Sequence, residues 1–368
     1  MSSSPVLAPA PAYGRPPLRT VHVLGDAGAG SGAHVRSLTT GLAARGVKVT
    51  VCGPVEAEGE HDFTGAGALF APDASSALRA VCAGADVVHA HGVRAGMRAA
   101  LALRGRRVPL VVSWHSADGP GAVGPLERLG RLLERRVARA AAVVLGSSPA
   151  LVDLARLRGA RDARLAPVAL PVPADPAADP GKVRAELGAV ERPLLIAVGS
   201  LAPWRGYSVL LDAARQWRAL DPVPLLVIAG EGPMRAELSR RIEAESLPVR
   251  LLGPRRDAVR LLAAADVAVA ASRWETRALP AREALRLGVP LVATAVGGVP
   301  ELVGAGAVLV PYGDAGALAA AVTGLLADPA RRAALADAGR AQAAAWPSED
   351  DTVTQVLSVY DELMERRR

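Results

Sequence analysis

The chain has little cysteine. Cys52 and Cys82 are its only two, both in apolar settings, with no CxxC and no histidine-rich spacing around either. That excludes a thiolate zinc site and a disulfide framework, and it fits a reducing cytoplasm. Aromatics are scarce at 3%. Stacking platforms for nucleic-acid bases are therefore not a theme, and no nucleic-acid partner is expected. Lysine is nearly absent, with Lys48 and Lys182 beside an otherwise all-arginine basic set. With the many alanines, this reads as base composition of the genome rather than as function. No run approaches the roughly 18–20 apolar residues of a membrane span. Residues 1–18 are rich in Ser, Pro and Ala and lack a continuous apolar core. They read as a disordered tail and not as a signal peptide.

What is present suits a folded, two-domain chain: 368 residues, of which 51% are apolar. The formal charge of +7 is unevenly placed. Residues 1–176 hold 20 basic and 13 acidic side chains, and residues 177–368 hold 23 of each. The excess lies wholly in the first half. Such a face meets an anionic membrane, a phosphorylated acceptor or nucleic acid, or is simply a solvated, arginine-rich surface.

Short β-branched runs alternate with helix-period segments. In the first half the runs are 21–24, 47–52, 86–90, 110–113, 141–145 and, more weakly, 164–166. Between them, Val35, Leu38 and Leu42 recur at helical spacing and Gly46 supplies a stop. Four prolines between Pro171 and Pro180 break this alternation. They mark a linker over 173–182, because proline continues neither a helix nor a central strand. The alternation then restarts at 194–198, 225–229, 249–252, 267–270, 291–294 and 307–310. The pattern predicts two α/β halves, each a doubly wound parallel sheet, with ligands at the carboxyl ends of strands. Ser348, followed by Glu349, Asp350 and Asp351, predicts the start of a closing helix.

Four constellations could carry chemistry. Gly28-Ala-Gly-Ser-Gly32 follows the first strand; it is either an anion cradle at a helix N-terminus or a plain tight turn. His89, His91 and His115 fall at or just past predicted strand ends, where a histidine can bond a sugar hydroxyl, move a proton or serve as a structural polar group. Gly199-Ser200 through Arg205-Gly206 follows the first strand of the second half, and Arg205 can clamp a diphosphate. The strongest is Ala271-Ser-Arg-Trp-Glu275 with Glu283 eight residues on, then Gly297-Gly-Val-Pro-Glu301.

Taken together these motifs resemble the retaining GT-B glycosyltransferases of family 4 over nearly the whole chain. The residues carrying the resemblance include Gly30–Val35, Asp86–Gly92, Leu145–Ser148 and Val198–Gly206. Ile228–Pro233, Leu252–Pro254 and 263–303, with its E-x7-E pair, complete the match. The resemblance implies a GT-B fold: two facing Rossmann-like domains with an interdomain cleft. It implies an acceptor domain over 19–172, a donor domain over 183–347, and a helix over 348–368 that crosses back to the first. It implies that Glu275 contacts the donor sugar, that Glu283 holds the nucleotide ribose, and that His115 reaches the sugar near the reacting centre. Gly30, Gly32, Gly199, Ser200, Arg205, Gly230, Gly253, Arg277 and Leu279 take donor-side positions.

The implied substrates are a nucleotide diphosphate sugar, UDP- or GDP-linked, and a hydroxyl acceptor. No cofactor is implied, and no DxD metal motif occurs, so side-chain cations take the metal's part. Two departures stand out. Ser200 replaces the family's arginine, with Arg205 at its lysine position, and the loop 276–280 lacks the family's glycine. They leave open a noncatalytic protein of the same fold that keeps nucleotide binding. Residues 125–139 form an amphipathic pattern, with Leu126, Leu129, Leu133 and Val137 beside Arg128, Arg131, Arg135 and Arg139. Such a helix packs on its own sheet or docks on anionic lipid at the inner face of a membrane.

Overall fold

A computed structural model describes residues 16–25, 29–115, 125–169, 179–255, 257–275 and 278–367. Residues 1–15 of the expected tail, Gly28, Arg277 and most of the expected linker lie outside the described residues.

In chain order the first elements are β1 (Arg19–Leu24), α1 (Ala29–Ala44), β2 (Lys48–Gly53), α2 (Val55–His61), β3 (Leu69–Pro72), α3 (Ser75–Ala83) and β4 (Val87–His91). There follow α4 (Val93–Ala102), β5 (Leu110–Trp114), α5 (Pro125–Ala140), β6 (Val143–Gly146), α6 (Pro149–Leu157) and β7 (Ala163–Leu165). The second series runs α7 (Pro180–Glu186), β8 (Leu194–Val198), α8 (Tyr207–Trp217), β9 (Leu225–Ala229), α9 (Arg235–Ala244), β10 (Val249–Gly253), α10 (Ala258–Ala263) and β11 (Val267–Ala270). It ends with α11 (Leu279–Leu287), β12 (Leu291–Thr294), α12 (Val299–Val303), β13 (Ala307–Val310), α13 (Ala315–Ala327), α14 (Pro329–Ala344) and α15 (Glu349–Glu365).

The strands form two sheets, in the orders β3-β2-β1-β4-β5-β6-β7 and β10-β9-β8-β11-β12-β13. By contacts the chain divides into two compact units, Met1–Val111 with Val353–Arg368, and Val112–Thr352. In the second sheet the strand period of two is visible in the core. Leu195 and Ala197 of β8 join Leu226 and Ile228 of β9 on one face, under Leu211 and Trp217 of α8. Their neighbours Leu194, Ile196, Leu225 and Val227 face the other way, under Leu261, Leu285 and Val303. Apolar residues fill both faces, so the strands read as continuous runs and not as alternations.

Two differences from the sequence reading have simple causes. β3 was not anticipated: it is four residues long, lies at the sheet edge and leaves Leu69 74% exposed. Its sequence, Leu-Phe-Ala-Pro, carries no buried-strand signal. The proline-rich segment does not stay out of helix to residue 182. Asp179 caps α7 by accepting from Gly181 N at 2.8 Å, and Pro180 takes the first helical position, where its missing N–H costs nothing.

α15 begins at the predicted cap. Ser348 Oγ accepts from Asp351 N at 3.1 Å, and Asp351 Oδ2 accepts from Ser348 N at 2.9 Å, a reciprocal capping pair. Its far half is held to the first sheet. His22 and His89 are register partners on β1 and β4. The Tyr360 hydroxyl lies 2.6 Å from His89 Nδ1 and 3.5 Å from His22 Nε2, while His22 Nδ1 lies 3.1 Å from His91 Nε2. One proton per imidazole and one on the phenol satisfy these contacts in a single direction, so the chain of groups works with every member neutral. Burial pushes the pKa of His22 down to about 4 and that of His89 well below its ordinary value.

Candidate active site

The second sheet reverses its strand order at β8 and β11. Loops at the carboxyl ends of such neighbours open a crevice for ligands. Here the loop after β8 carries Gly199 to Gly206, and the loop after β11 carries Ala271 to Glu275.

Glycines let these loops close on each other. A Cβ on Gly230 would collide with the carbonyl oxygen of Gly199, and one on Gly206 with that of Ala271. Gly206 also takes φ +70°, a left-handed conformation that favours glycine. Arg205 ends a short 3-10 turn, Pro203–Arg205, and its guanidinium stacks 4.1 Å over the Trp204 ring. Arg273 N donates to Trp204 O at 2.7 Å, which ties the two loops together.

The two predicted side chains meet. Arg205 Nη1 pairs with Glu275 Oε1. Both side chains are largely buried, at 19% and 11% exposure. Burial pulls the Arg205 guanidinium below its usual pKa. Two residues that the sequence reading did not assign complete the small pocket, of about 20 Å³. Ser272 Oγ donates to Glu275 Oε1 at 3.2 Å. Tyr207 Oη donates to Gly199 O at 3.0 Å, and burial pushes its pKa up to about 12. Ser272 stands three residues before Glu275, an ordinary spacing for a local hydrogen bond, and Tyr207 looks like any buried aromatic. Position relative to the strand ends was the signal available for both.

The other predicted positions divide. Ser200 is exposed beside Gly199, where its hydroxyl offers no charge. Gly253 ends β10 at φ +77°. Leu279 opens α11, and Ala278 before it sits at φ +40°, ψ +53°. That left-handed conformation favours glycine, and it falls in the loop 276–280 where the resemblance leads one to expect a glycine. Glu283 lies on α11 with Arg286 Nη1 3.5 Å away; burial raises its pKa, with Arg286 and Arg282 opposing. It does not line the pocket around Glu275.

Gly30 and Gly32 lie within α1 rather than in a loop. A Cβ on Gly32 would strike the His61 ring, so packing against α2 explains that glycine. His115 follows β5 and is 3% exposed. His89 and His91 belong to β4 itself and are buried at 0% and 4%. His89 serves the link to Tyr360 rather than a strand-end site.

Comparison with known proteins agrees with this geometry. Residues 181–342 match the family model for glycosyl transferases group 1, and residues 29–171 match that for the glycosyl transferase 4-like domain. A D-inositol 3-phosphate glycosyltransferase of Xylanimonas cellulosilytica is 31% identical over 401 residues, covering 93% of this chain and 94% of that protein. A GDP-mannose-dependent monoacylated alpha-(1-6)-phosphatidylinositol monomannoside mannosyltransferase of Corynebacterium glutamicum is 34% identical over 193 residues, 49% of this chain and 51% of that one. Among solved structures, Anabaena HepE in complex with UDP and glucose superposes with a TM-score of 0.81 at 21% identity, over 93% of this chain and 99% of that one. Two parallel sheets, a switch-point pocket holding Arg205 and Glu275, and a 31% identical relative matched along nearly its whole length lead to one conclusion: the chain belongs to the group 1 glycosyltransferases and is a hexosyltransferase with the GT-B fold.

Proposed function

We propose that the chain moves a hexosyl group from a UDP- or GDP-linked sugar to a hydroxyl acceptor, with retention at the anomeric carbon and with no metal ion or cofactor. The observation that carries this reading is the Arg205–Glu275 pair at the carboxyl ends of β8 and β11. Both donor bases find support in relatives. The Corynebacterium enzyme is named for GDP-mannose, and Anabaena HepE binds UDP and glucose. The acceptor classes named for the relatives, an inositol phosphate and a phosphatidylinositol mannoside, are polyols that carry phosphate. A phosphorylated polyol acceptor suits the basic first half of this chain.

In this mechanism the donor diphosphate takes Arg205 from Glu275, and the sugar hydroxyls take the carboxylate in return. Negative charge grows on the diphosphate as the anomeric C–O bond breaks. Arg205 and the N-terminal end of α8, which starts at Tyr207, stabilise it. Glu283 holds the ribose, and Gly199, Ser200, Gly230, Gly253, Arg277 and Leu279 contribute around the nucleotide. His115 meets the sugar from the first sheet. The acceptor oxygen attacks from the leaving-group face, so Glu275 orients the sugar and forms no bond to it.

Nucleoside diphosphate release from UDP-glucose and GDP-mannose, with EDTA present and inositol phosphates as acceptors, tests the reaction. NMR of the product's anomeric proton tests its stereochemistry. Release that vanishes with EDTA, or a β-linked product from these α-linked donors, contradicts the proposal.

A further inference from the structure

Ser272 is buried at 3% exposure in the loop that carries Glu275. The backbone of that loop is pinned from three sides. Thr294 Oγ1 on β12 donates to Ser272 O at 2.6 Å, Gly298 N donates to Glu275 O at 3.0 Å, and Arg273 N donates to Trp204 O at 2.7 Å. A backbone fixed this firmly leaves only the carboxylate of Glu275 to be oriented.

Among the described residues two groups orient it, Arg205 and the Ser272 hydroxyl, and both meet the same oxygen, Oε1. Among the described residues Oε2 receives no hydrogen bond. The two contacts are not equivalent once a ligand arrives. A guanidinium moves readily to a diphosphate, which offers it two charged oxygens in a matching fork. The buried Ser272 hydroxyl makes no other hydrogen bond among the described residues, so it stays with the carboxylate three residues on.

We propose that Ser272 is a positioning residue of the donor site. It holds Oε1 of Glu275 after the diphosphate has drawn Arg205 away, and so keeps Oε2 turned to the hydroxyls of the donor sugar. The inference rests on the donor-site reading and goes beyond it: sugar recognition is set by a hydroxyl that touches neither sugar nor nucleotide. Ser272→Ala removes one atom and introduces no clash.

Calorimetric titration of the full chain separates the possibilities. The probes are UDP and GDP alone, then UDP-glucose and GDP-mannose. In the wild type the matching nucleotide and its sugar conjugate both bind. Ser272→Ala is expected to keep the affinity for the nucleotide alone. It should lose roughly tenfold in affinity for the sugar conjugate and a similar factor in kcat, the scale of one hydrogen bond to a charged group. Ser272→Thr, which keeps the hydroxyl, should recover most of both. Equal binding and turnover in Ser272→Ala and wild type overturn the proposal. A parallel loss for nucleotide alone and conjugate overturns it too, since that marks a general structural role. If the wild type binds none of the four probes, the donor-site reading itself fails and takes this inference with it.

Discussion

At the scale of the residue, the site depends on backbone approaches as much as on charges. Gly230 is the sharpest case, because an added Cβ meets a carbonyl oxygen of the Gly199 loop and not a movable side chain. Gly230→Ala is therefore expected to destabilise the chain by roughly 2–3 kcal/mol, the upper range for overpacking, and to weaken nucleotide binding. Urea unfolding and calorimetry check the two effects. A variant with wild-type stability and binding would mean that the loops are further apart than described. Glu275 and Arg205 were legible because a carboxylate and a cation in loops after strands form a chemical pattern. Gly32, expected in a loop, lies inside α1, packed on a residue that sequence does not link to it. Its partner, His61, lies on another helix 29 positions away in sequence, and local pattern carries no trace of that contact.

At the scale of the element, α15 stays on the first sheet through Tyr360, whose hydroxyl bridges His89 and His22. The groups facing this hydroxyl are imidazoles from β1 and β4, with His34 of α1 at 5.7 Å from the His91 ring. The sign of the pH effect follows from His22. Its folded pKa, about 4, lies below the ordinary 6.5, so the unfolded chain binds more protons between those values. The stabilisation is fully present above pH 6.5 and is lost as pH falls towards 4, on the order of 3 kcal/mol for this group. Urea midpoints at pH 7.5, 6 and 5 should fall steadily. Tyr360→Phe removes the bridging hydroxyl and should cost roughly 1–3 kcal/mol at pH 7.5. A flat pH response together with an unchanged Tyr360→Phe variant contradicts this account. All twelve strands expected from the sequence are present; most are buried apolar runs, and β7, the weakest expectation, is short and half-exposed. The edge strand β3 escaped because exposure on its outer side removes the apolar signal. His91 ends β4 as expected, whereas His89 lies inside the strand, and sequence gives no sign of the helix whose Tyr360 meets it.

At the scale of the whole molecule, the charge asymmetry and α5 bear on where the enzyme works. Leu129 and Leu132 of α5 are 52% and 45% exposed, while Val137 is fully buried. The middle of that helix thus presents leucines beside the exposed Arg128, Arg131 and Arg135, while Val137 and Ala138 pack inward. No helix among the described residues is long and apolar enough to cross a membrane. Flotation with anionic vesicles should show binding at low salt that fades as salt rises, and Leu129→Asp with Leu132→Asp should abolish it. Absence of binding at low salt leaves α5 as a helix packed on its own sheet and leaves the donor chemistry intact. The doubling of the α/β pattern made the two-sheet architecture legible from sequence. The acceptor was not legible, because the loops that choose it follow no periodicity.

Thermal stabilisation shows whether the second sheet holds a donor site. The wild-type chain and a Glu283→Ala variant are melted with millimolar UDP, GDP and ADP and with their sugar conjugates. A ligand that binds only the folded state adds about 2.7 kcal/mol at 100 times its dissociation constant. A clear rise in Tm is expected with one base, UDP or GDP, larger for its sugar conjugate and lost in Glu283→Ala. A folded wild-type chain that melts at the same temperature with every nucleotide would contradict it.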